Sequence, residues 1–352
     1  MSNQASFPKL TIGLDLGDKV SRTCELDGAG KIVKTAAVAT TTEAIERYFG
    51  GRPPCRVVLE VSTHSPWVSR QLEALGHAAV VANTSEIFSR RRRKRRNDKL
   101  DAEFLARQGR ADVQLLYPIR HRGAEAQQDL AVLRARDQLV QARTHLINHV
   151  RGAVKSLGAR IGTCDADVFA KRAPAQLPEP LRPALAPLVE TIGVLTRQIR
   201  AMDRDVDRME ERYPEVARLQ QPKGVGPLTA LAYVLTVEDA GRFKRSRDVG
   251  PFFGLVPRLD ESSDSSPQLH ITKAGDALVR RYLVGAARYI LGPFGPDCDL
   301  RRHGEAIAAR GGKNASKRAA VAVARKLAVL LHHLWVSNAD YEPNWLESRR
   351  AA

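Results

Sequence analysis

"LTIGLDLG", residues 10–17, decides how the first part of this chain is read. It is an apolar run of strand length with one carboxylate, Asp15, set inside it. A carboxylate in an apolar strand is costly unless it is paired or binds a cation. "RVVLEVS", residues 56–62, repeats the arrangement with Glu60. Between them, SRTCELD (21–27) and KIVKTAAVA (31–39) flank Gly-Ala-Gly, a hairpin pattern. Thr41 or Thr42 caps a short helix running through Tyr48 and ended by Gly50-Gly51. THSPWVSRQLEALG (63–76) predicts a helix, AAVVAN (78–83) a last strand, and DKLDAEFLARQGR (98–110) a last helix. This order is three strands, helix, strand, helix, strand, helix. With right-handed crossovers it places the fourth strand beside the first, so that Asp15 and Glu60 converge at one edge of the sheet.

The last helix carries Asp98 and Asp101, at i and i+3 and therefore on one helix face. Convergent carboxylates repel one another when unliganded but suit hard divalent cations with oxygen ligands. Two such ions can activate a nucleophile and stabilise the leaving oxygen in phosphodiester displacement. Each acid also has a plainer role: Asp15 as a turn cap before Gly17, Glu60 paired with a buried Arg, Asp98 as an N-cap. Directly before the helix stand seven consecutive cations, Arg90, Arg91, Arg92, Arg93, Lys94, Arg95 and Arg96. Alone they would be a solvated tail; beside two aspartates they form the rim of a site for a polyanion.

Composition points the same way. The chain has 352 residues, with 56 Lys+Arg against 39 Asp+Glu and a net charge of +17. Such an excess calls for an anionic partner, and nucleic acid, which releases condensed counterions on neutralisation, is the usual one. A membrane surface would require a basic amphipathic helix with aromatic anchors or an apolar run of about 18 residues, and neither is read here. Aromatic residues make up only 5%, which argues against binding single strands chiefly by base stacking. The N-terminal residues do not read as a signal peptide, and Cys24, Cys55, Cys164 and Cys298 are too scattered for a zinc knuckle or a disulfide framework. Both features imply a cytoplasmic protein.

From Gly123 the pattern becomes helical. Leu130, Leu133, Val140, Ile147, Val150, Val154 and Leu157 form one stripe. Leu181, Leu185, Leu188, Ile192, Leu195, Ile199, Met202, Val206 and Met209 form a second, and a proline-rich stretch (174–183) separates the two. An antiparallel coiled coil is the economical reading. His145 and His149 stand at i, i+4 within it, with no third ligand in view. A third region begins near Leu219. "KGVG" (223–226) before an apolar helix has the form of a helix-hairpin-helix turn, in which Lys223, Gly224 and Gly226 meet a phosphate without reading sequence. Lys273, Arg280, Arg281, Arg288, Lys317 and Arg318 add positive charge around it. The expected domains are residues 1–112, 113–215 and 216–352.

"GLDLGD", "LEVSTHSPWVSRQLEALG" and "NDKLDAEFLA" resemble the N-terminal domain of bacterial insertion-sequence transposases of the DEDD type, whose fold is RNase H-like (RuvC-like). The stretch from "PKGVGPLTALAYVL" through "ITKAGDALVRRYL" resembles that family's mostly helical C-terminal transposase domain. The two halves occur in the family's order. The resemblance implies an α/β RuvC-like domain, a coiled-coil arm and a C-terminal transposase domain. It places the acidic tetrad on Asp15, Glu60, Asp98 and Asp101, with Mg²⁺ or Mn²⁺ as cofactor. It further implies a serine nucleophile between "GLVP" and "ITKAGD", commonly as Ser-Gly. Here the pair is Ser262-Ser263, so Ser262 takes the nucleophile's position, with Ser263, Ser265 and Ser266 as neighbouring alternatives. The family's partners are donor and target DNA and an element-encoded guide (bridge) RNA. Its assembly as dimers and tetramers leaves open that Ser262 of one subunit completes the acidic site of another. Two other readings stand beside this one: a junction-resolving nuclease without a covalent intermediate, and a non-catalytic nucleic-acid scaffold.

Overall fold

In the computed structural model, residues 9–83, 98–258 and 269–346 are described, with Asp98 and Lys99 as backbone only. They form two compact units, Met1–Arg122 and Gly123–Ala352.

The first unit is built on a five-stranded sheet of order β3-β2-β1-β4-β5. Its strands are β1 (Leu10–Asp15), β2 (Val20–Asp27), β3 (Ile32–Ala39), β4 (Arg56–Glu60) and β5 (Ala78–Ala82). β1 to β3 form an antiparallel meander, and the turn after β2 is closed by Asp27, which accepts from the amides of Ala29 and Lys31 at 2.9 Å each. The crossovers through helices α1 (Thr42–Phe49) and α2 (Ser65–Ala74) make β4 parallel to both β1 and β5. Thr41 is the cap of α1, its hydroxyl accepting from the Ala44 amide at 3.2 Å. Alternation sorts the strand residues onto two faces. Ile12, Leu14, Val57 and Leu59 pack in one cluster with Ile45, Phe49, Val68 and Leu72 of α1 and α2. The opposite face receives helix α3 (Asp98–Ala111), whose Ala102 and Ala106 pack with Cys24 and Leu26, and whose Leu105 packs with Val58 and Ala82.

In the second unit, α4 (Ala124–Lys155) and α6 (Arg182–Glu210) form an antiparallel pair. Leu130 and Leu133 near the start of α4 pack with Val206 and Met209 near the end of α6. Ile147, Val150 and Val154 pack with Leu185, Val189 and Ile192, together with Phe169 of the short helix α5 (Ala166–Arg172). The apolar stripe differs in detail from the one read in the sequence. Val189 and Thr196 are buried, whereas Leu188 and Leu195 are only partly so. Leu157 lies past the end of α4 and is 52% exposed. Midway along the pair a polar layer replaces the seam: Arg136 donates to Asp203 at 2.6 Å, and the buried Arg143 donates to Asp167 at 2.5 Å and Thr196 at 3.3 Å.

The rest of the unit is a helical core made by α7 (Glu215–Leu219), α8 (Pro227–Val237), α9 (Val249–Phe252), α10 (Ala277–Leu291), α11 (Asp299–Ala308) and α12 (Ala315–Ser337). α8 is buried along its whole length from Thr229, and Tyr233 within it donates to the Ala328 carbonyl of α12 at 2.7 Å. Contrary to the expectation of no apolar run long enough to span a bilayer, α12 contains one, with mean hydropathy 1.4 over 18 residues. Half of that window is buried, and Val323, Ala324, Leu327, Ala328 and Leu331 sit in the core with α8 and α10. The run is apolar because a helix packed on several sides needs more than one apolar face.

Candidate active site and nucleic-acid contacts

Three backbone placements bring the predicted acids of the first unit to one end of its sheet. β1 and β4 are parallel with Leu14 opposite Leu59, so Asp15 and Glu60 stand one residue further on, at neighbouring carboxyl ends. Asp15 is two residues beyond Gly13, and Glu60 two beyond Val58, so both carboxylates lie on the face that α3 covers. α3 sits directly on that face: a Cβ on Gly13 would be 1.9 Å from the Ala102 carbonyl oxygen and 2.6 Å from the Ala106 nitrogen. Its direction is fixed at the other end. Arg56, the first residue of β4, donates to the Gly109 carbonyl at 2.7 Å, and Arg110 donates to Gly28 in the β2–β3 turn at 2.6 Å.

The helix therefore runs antiparallel to β1, with its first turn toward the strand ends that carry Asp15 and Glu60. The backbone of Asp98 lies about 6 Å up the helix axis from Ala102. Asp15 lies about 7 Å along the strand from Gly13, so the two reach the same level. Asp101 is adjacent to Ala102. The positive end of the α3 dipole faces the same region and favours anionic groups there.

Asp15, Glu60 and Asp101 are all partly buried. Among the described residues, no three His, Cys, Asp or Glu side chains stand close enough together to hold a metal ion, and this covers His145 and His149 as well. The donor set is nonetheless of the hard-oxygen kind that divalent ions take.

A second group of residues stiffens this end of the sheet. Trp67, in the first turn of α2, donates its indole N–H to Nδ1 of His64 in the loop after β4 at 3.1 Å. That bond leaves the proton on Nε2, which points at Asp18 in the loop after β1, 3.5 Å away. The sequence gives no sign that His64 and Asp18 meet, because only the sheet order brings the two loops together. Ser65 is fully buried and donates to the Ser62 carbonyl at 2.8 Å, while its oxygen lies 2.8 Å from His121 Nε2. Burial, with Arg70 and Arg122 nearby, holds the His121 pKa below the usual imidazole range.

In the second unit, Lys223, Gly224 and Gly226 lie in the turn between α7 and α8. Gly224 has φ +96°, and a Cβ there would stand 3.0 Å from the Tyr289 ring and 3.1 Å from the Ala286 carbonyl. Glycine is required on both counts. Gly226 caps α8 without a side chain, and Pro227 follows as the first helical residue. Lys273 occupies a left-handed turn, φ 55°. Arg280 donates to the carbonyls of Phe253 and Ala274 at 3.1 and 2.9 Å, and Arg281 to Asp137 of α4 at 2.8 Å. Both guanidinium groups thus hold internal partners, and Arg281 remains 48% exposed.

The segments on either side of the predicted serine are paired with each other. The Arg258 amide donates to His270 at 3.0 Å, that of Thr272 to Val256 at 2.9 Å and that of Lys273 to Gly254 at 3.1 Å. These bonds, with the Pro257–Ile271 bridge, form a two-stranded stem. Gly254 and Gly275, both at positive φ, pass so close to the opposing backbone that a Cβ would come within 2.2 and 2.0 Å of a carbonyl oxygen. Ser262, Ser263, Ser265 and Ser266, and Arg90 to Arg96, lie outside the described residues.

A family model described as "Transposase", of the DEDD IS110 type, matches residues 12–158. A second, described as "Transposase IS116/IS110/IS902 family", matches residues 216–297. The chain is 28% identical over 349 residues to the transposase for insertion sequence element IS1111A of Coxiella burnetii, covering 94% of this chain and 90% of that one. It is 29% identical over 251 residues to the transposase for insertion sequence element IS1328 of Yersinia enterocolitica, covering 69% and 73%. By these matches the chain is similar to transposases of the IS110/IS116 family. The first match spans Asp15, Glu60, Asp98 and Asp101. The second spans the Lys223–Gly226 turn, the paired stem with the serine segment between its strands, and Lys273, Arg280 and Arg281.

Proposed function

We propose that this protein is a transposase that cuts and rejoins DNA through a phosphoserine intermediate, with its acidic residues serving as a divalent-metal site. The observation that carries the metal reading is the convergence of the carboxyl ends of β1 and β4 with the first turn of α3. Asp15, Glu60, Asp98 and Asp101 would hold Mg²⁺ or Mn²⁺. Such an ion polarises a scissile phosphate and favours departure of its leaving oxygen. The acids bind and orient; the His64–Asp18 contact keeps the loops after β1 and β4 in place around them.

Ser262 is the nucleophile in this reading. Its oxygen bonds to phosphorus, the DNA hydroxyl leaves with a proton, and the serine proton passes to a nearby base. A second DNA hydroxyl then attacks the phosphoserine, restoring the serine and forming a new phosphodiester, so no bond is lost overall. The paired stem at 254–258 and 269–273 supports the assignment, since it anchors both ends of the serine segment. Lys223, Gly224, Gly226, Lys273 and the basic run at 90–96 contact phosphates, consistent with the net charge of +17. We extend the proposal to an element-encoded guide RNA and to a dimeric or tetrameric assembly, for which the coiled-coil reading of α4 and α6 supplies an arm.

The test is a denaturing gel of the full-length protein with labelled element-end DNA. Wild type should give a protein–DNA adduct, Ser262→Ala none, and Asp15→Asn none while DNA binding persists. Strand transfer by Ser262→Ala would refute the serine mechanism. Free DNA ends with no adduct in wild type would make the protein a nuclease of the junction-resolving kind.

A further inference from the structure

Among the described residues no large hydrophobic side chain is more exposed than Phe294, at 83%. Its exposure is built in, because the loop that carries it is locked. Arg301 Nη1 donates to three carbonyls of that loop and its root, Ile290 at 3.1 Å and Gly292 and Gly295 at 2.8 Å each. The Gly292 amide donates to Tyr289 at 3.0 Å and that of Gly295 to Gly292 at 3.2 Å. Gly295 lies so close to the end of α10 that a Cβ would be 2.1 Å from the Ile290 carbonyl oxygen. The backbone is folded tightly back on its helix, and the aromatic ring stands out at the tip.

The position of the tip indicates its ligand. Tyr289, itself 45% exposed, touches Gly224 of the Gly-Val-Gly turn. Lys223 of that turn and Ile290, Pro296 and Asp297 at the base of the loop line one cleft of about 500 Å³. A rigid exposed ring on a loop whose base shares a cleft with the turn proposed to meet phosphate matches the surface presented by a nucleotide: an anionic backbone with a flat π-face next to it. A protein partner would call for a contiguous apolar patch. The cleft at the base of the Phe294 loop is instead interrupted by the polar side chains Gln221, Lys223, Asp297 and Asp340.

We infer that Phe294 stacks on an unpaired DNA base next to the phosphate held at the Lys223–Gly226 turn. The inference rests on the reading of that turn as a DNA contact. In a perfect duplex the base faces are already stacked on one another. The ring should therefore add affinity only where a nucleotide is unpaired, as at a bulge or a strand junction.

The test uses the full-length protein and two DNA duplexes of one sequence, one perfect and one carrying a single unpaired 2-aminopurine. A bulged RNA duplex of the same sequence runs in parallel. Affinity is read by anisotropy and stacking by quenching of the 2-aminopurine. Wild type should prefer the bulged DNA by about tenfold, the size expected for one base on one ring, and should quench the probe. Phe294→Ala should lose both effects while its affinity for the perfect duplex and its melting temperature stay unchanged, and Phe294→Trp should restore them. Lys223→Ala should weaken both DNAs alike.

Unchanged quenching in Phe294→Ala, or an equal loss on both DNAs, would overturn the stacking inference. So would an effect of Phe294→Ala confined to the RNA or to self-association. If wild type bound neither DNA and Lys223→Ala matched it, the reading of the turn would fail first and take the stacking with it.

Discussion

Gly13→Ala places one methyl group where α3 rests on β1. The added Cβ would be 1.9 Å from the Ala102 carbonyl oxygen, and the contact must open to at least 3.0 Å, a movement of about 1.1 Å. Both sides are backbone, so no side chain can rotate out of the way. Overpacking of this kind costs about 1–3 kcal/mol, enough to lower the melting temperature of the first unit by about 4 °C or more. The functional effect should be larger than the stability effect. α3 carries Asp98 and Asp101, and a shift of about 1 Å in a catalytic group lowers rate by about a hundredfold. Gly109→Ala is the control. Its Cβ would meet the Val58 Cγ2 methyl at 2.3 Å, near the far end of the same helix. It should cost comparable stability and leave more of the activity. Both variants are compared by thermal unfolding and by a DNA strand-transfer assay with the full-length protein. Wild-type stability and activity in Gly13→Ala would show that α3 is not seated on Gly13, and the convergence of the acids would lose its basis.

Glu25 is buried and accepts from Arg52 at 2.9 Å and Tyr48 at 2.6 Å, so Arg52→Ala should destabilise by about 2 kcal/mol. The figure is discounted because Arg52 is 22% exposed and Tyr48 remains as a donor, and a loss under about 0.5 kcal/mol in urea unfolding would show the pair to be inert. Neutralising four of the cations at 90–96 should weaken DNA binding and flatten its dependence on salt, whereas Asp101→Asn should spare binding and stop cleavage. A salt slope unchanged by the first variant would remove the run from the DNA contacts. Burial pushes the Cys55 thiol up to about 11 from 9.0, so the unfolded chain ionises first as pH rises. The stability this thiol contributes is complete below pH 9 and is lost between pH 9 and 11. Cys55→Ala should flatten that alkaline decline in urea unfolding, and an unchanged pH profile would count against the burial of the thiol.

Much of the first unit could be read from its sequence because its signals are local. The hairpin at Gly28–Gly30, the Thr41 cap and the apolar runs around Asp15 and Glu60 each define an element within a few residues. The order of those elements, with the handedness of crossovers, then places β4 beside β1. The second unit was legible in its helices and less so in their faces. Over a long helix the 3.6-residue period drifts against a simple stripe, and Val189 and Thr196 turn inward where Leu188 and Leu195 were expected. The destinations of Arg280 and Arg281 were not legible either, since a guanidinium group reads as surface charge until Phe253, Ala274 and Asp137 are brought next to it.

The sequence by itself determined which carboxylates stand in apolar strands, which glycines precede a helix, and the excess of positive charge. These are properties of residue type and near-neighbour order, and they fix the kind of chemistry available. Only the tertiary structure decided that α3 runs antiparallel to β1 on the Gly13 face, with its first turn at the ends of β1 and β4. Likewise, only packing decided that His64 meets Asp18 and that Phe294 stands out on a loop whose base shares a cleft with Lys223. Each of these depends on contacts between residues tens of positions apart, and such contacts leave no trace in local periodicity.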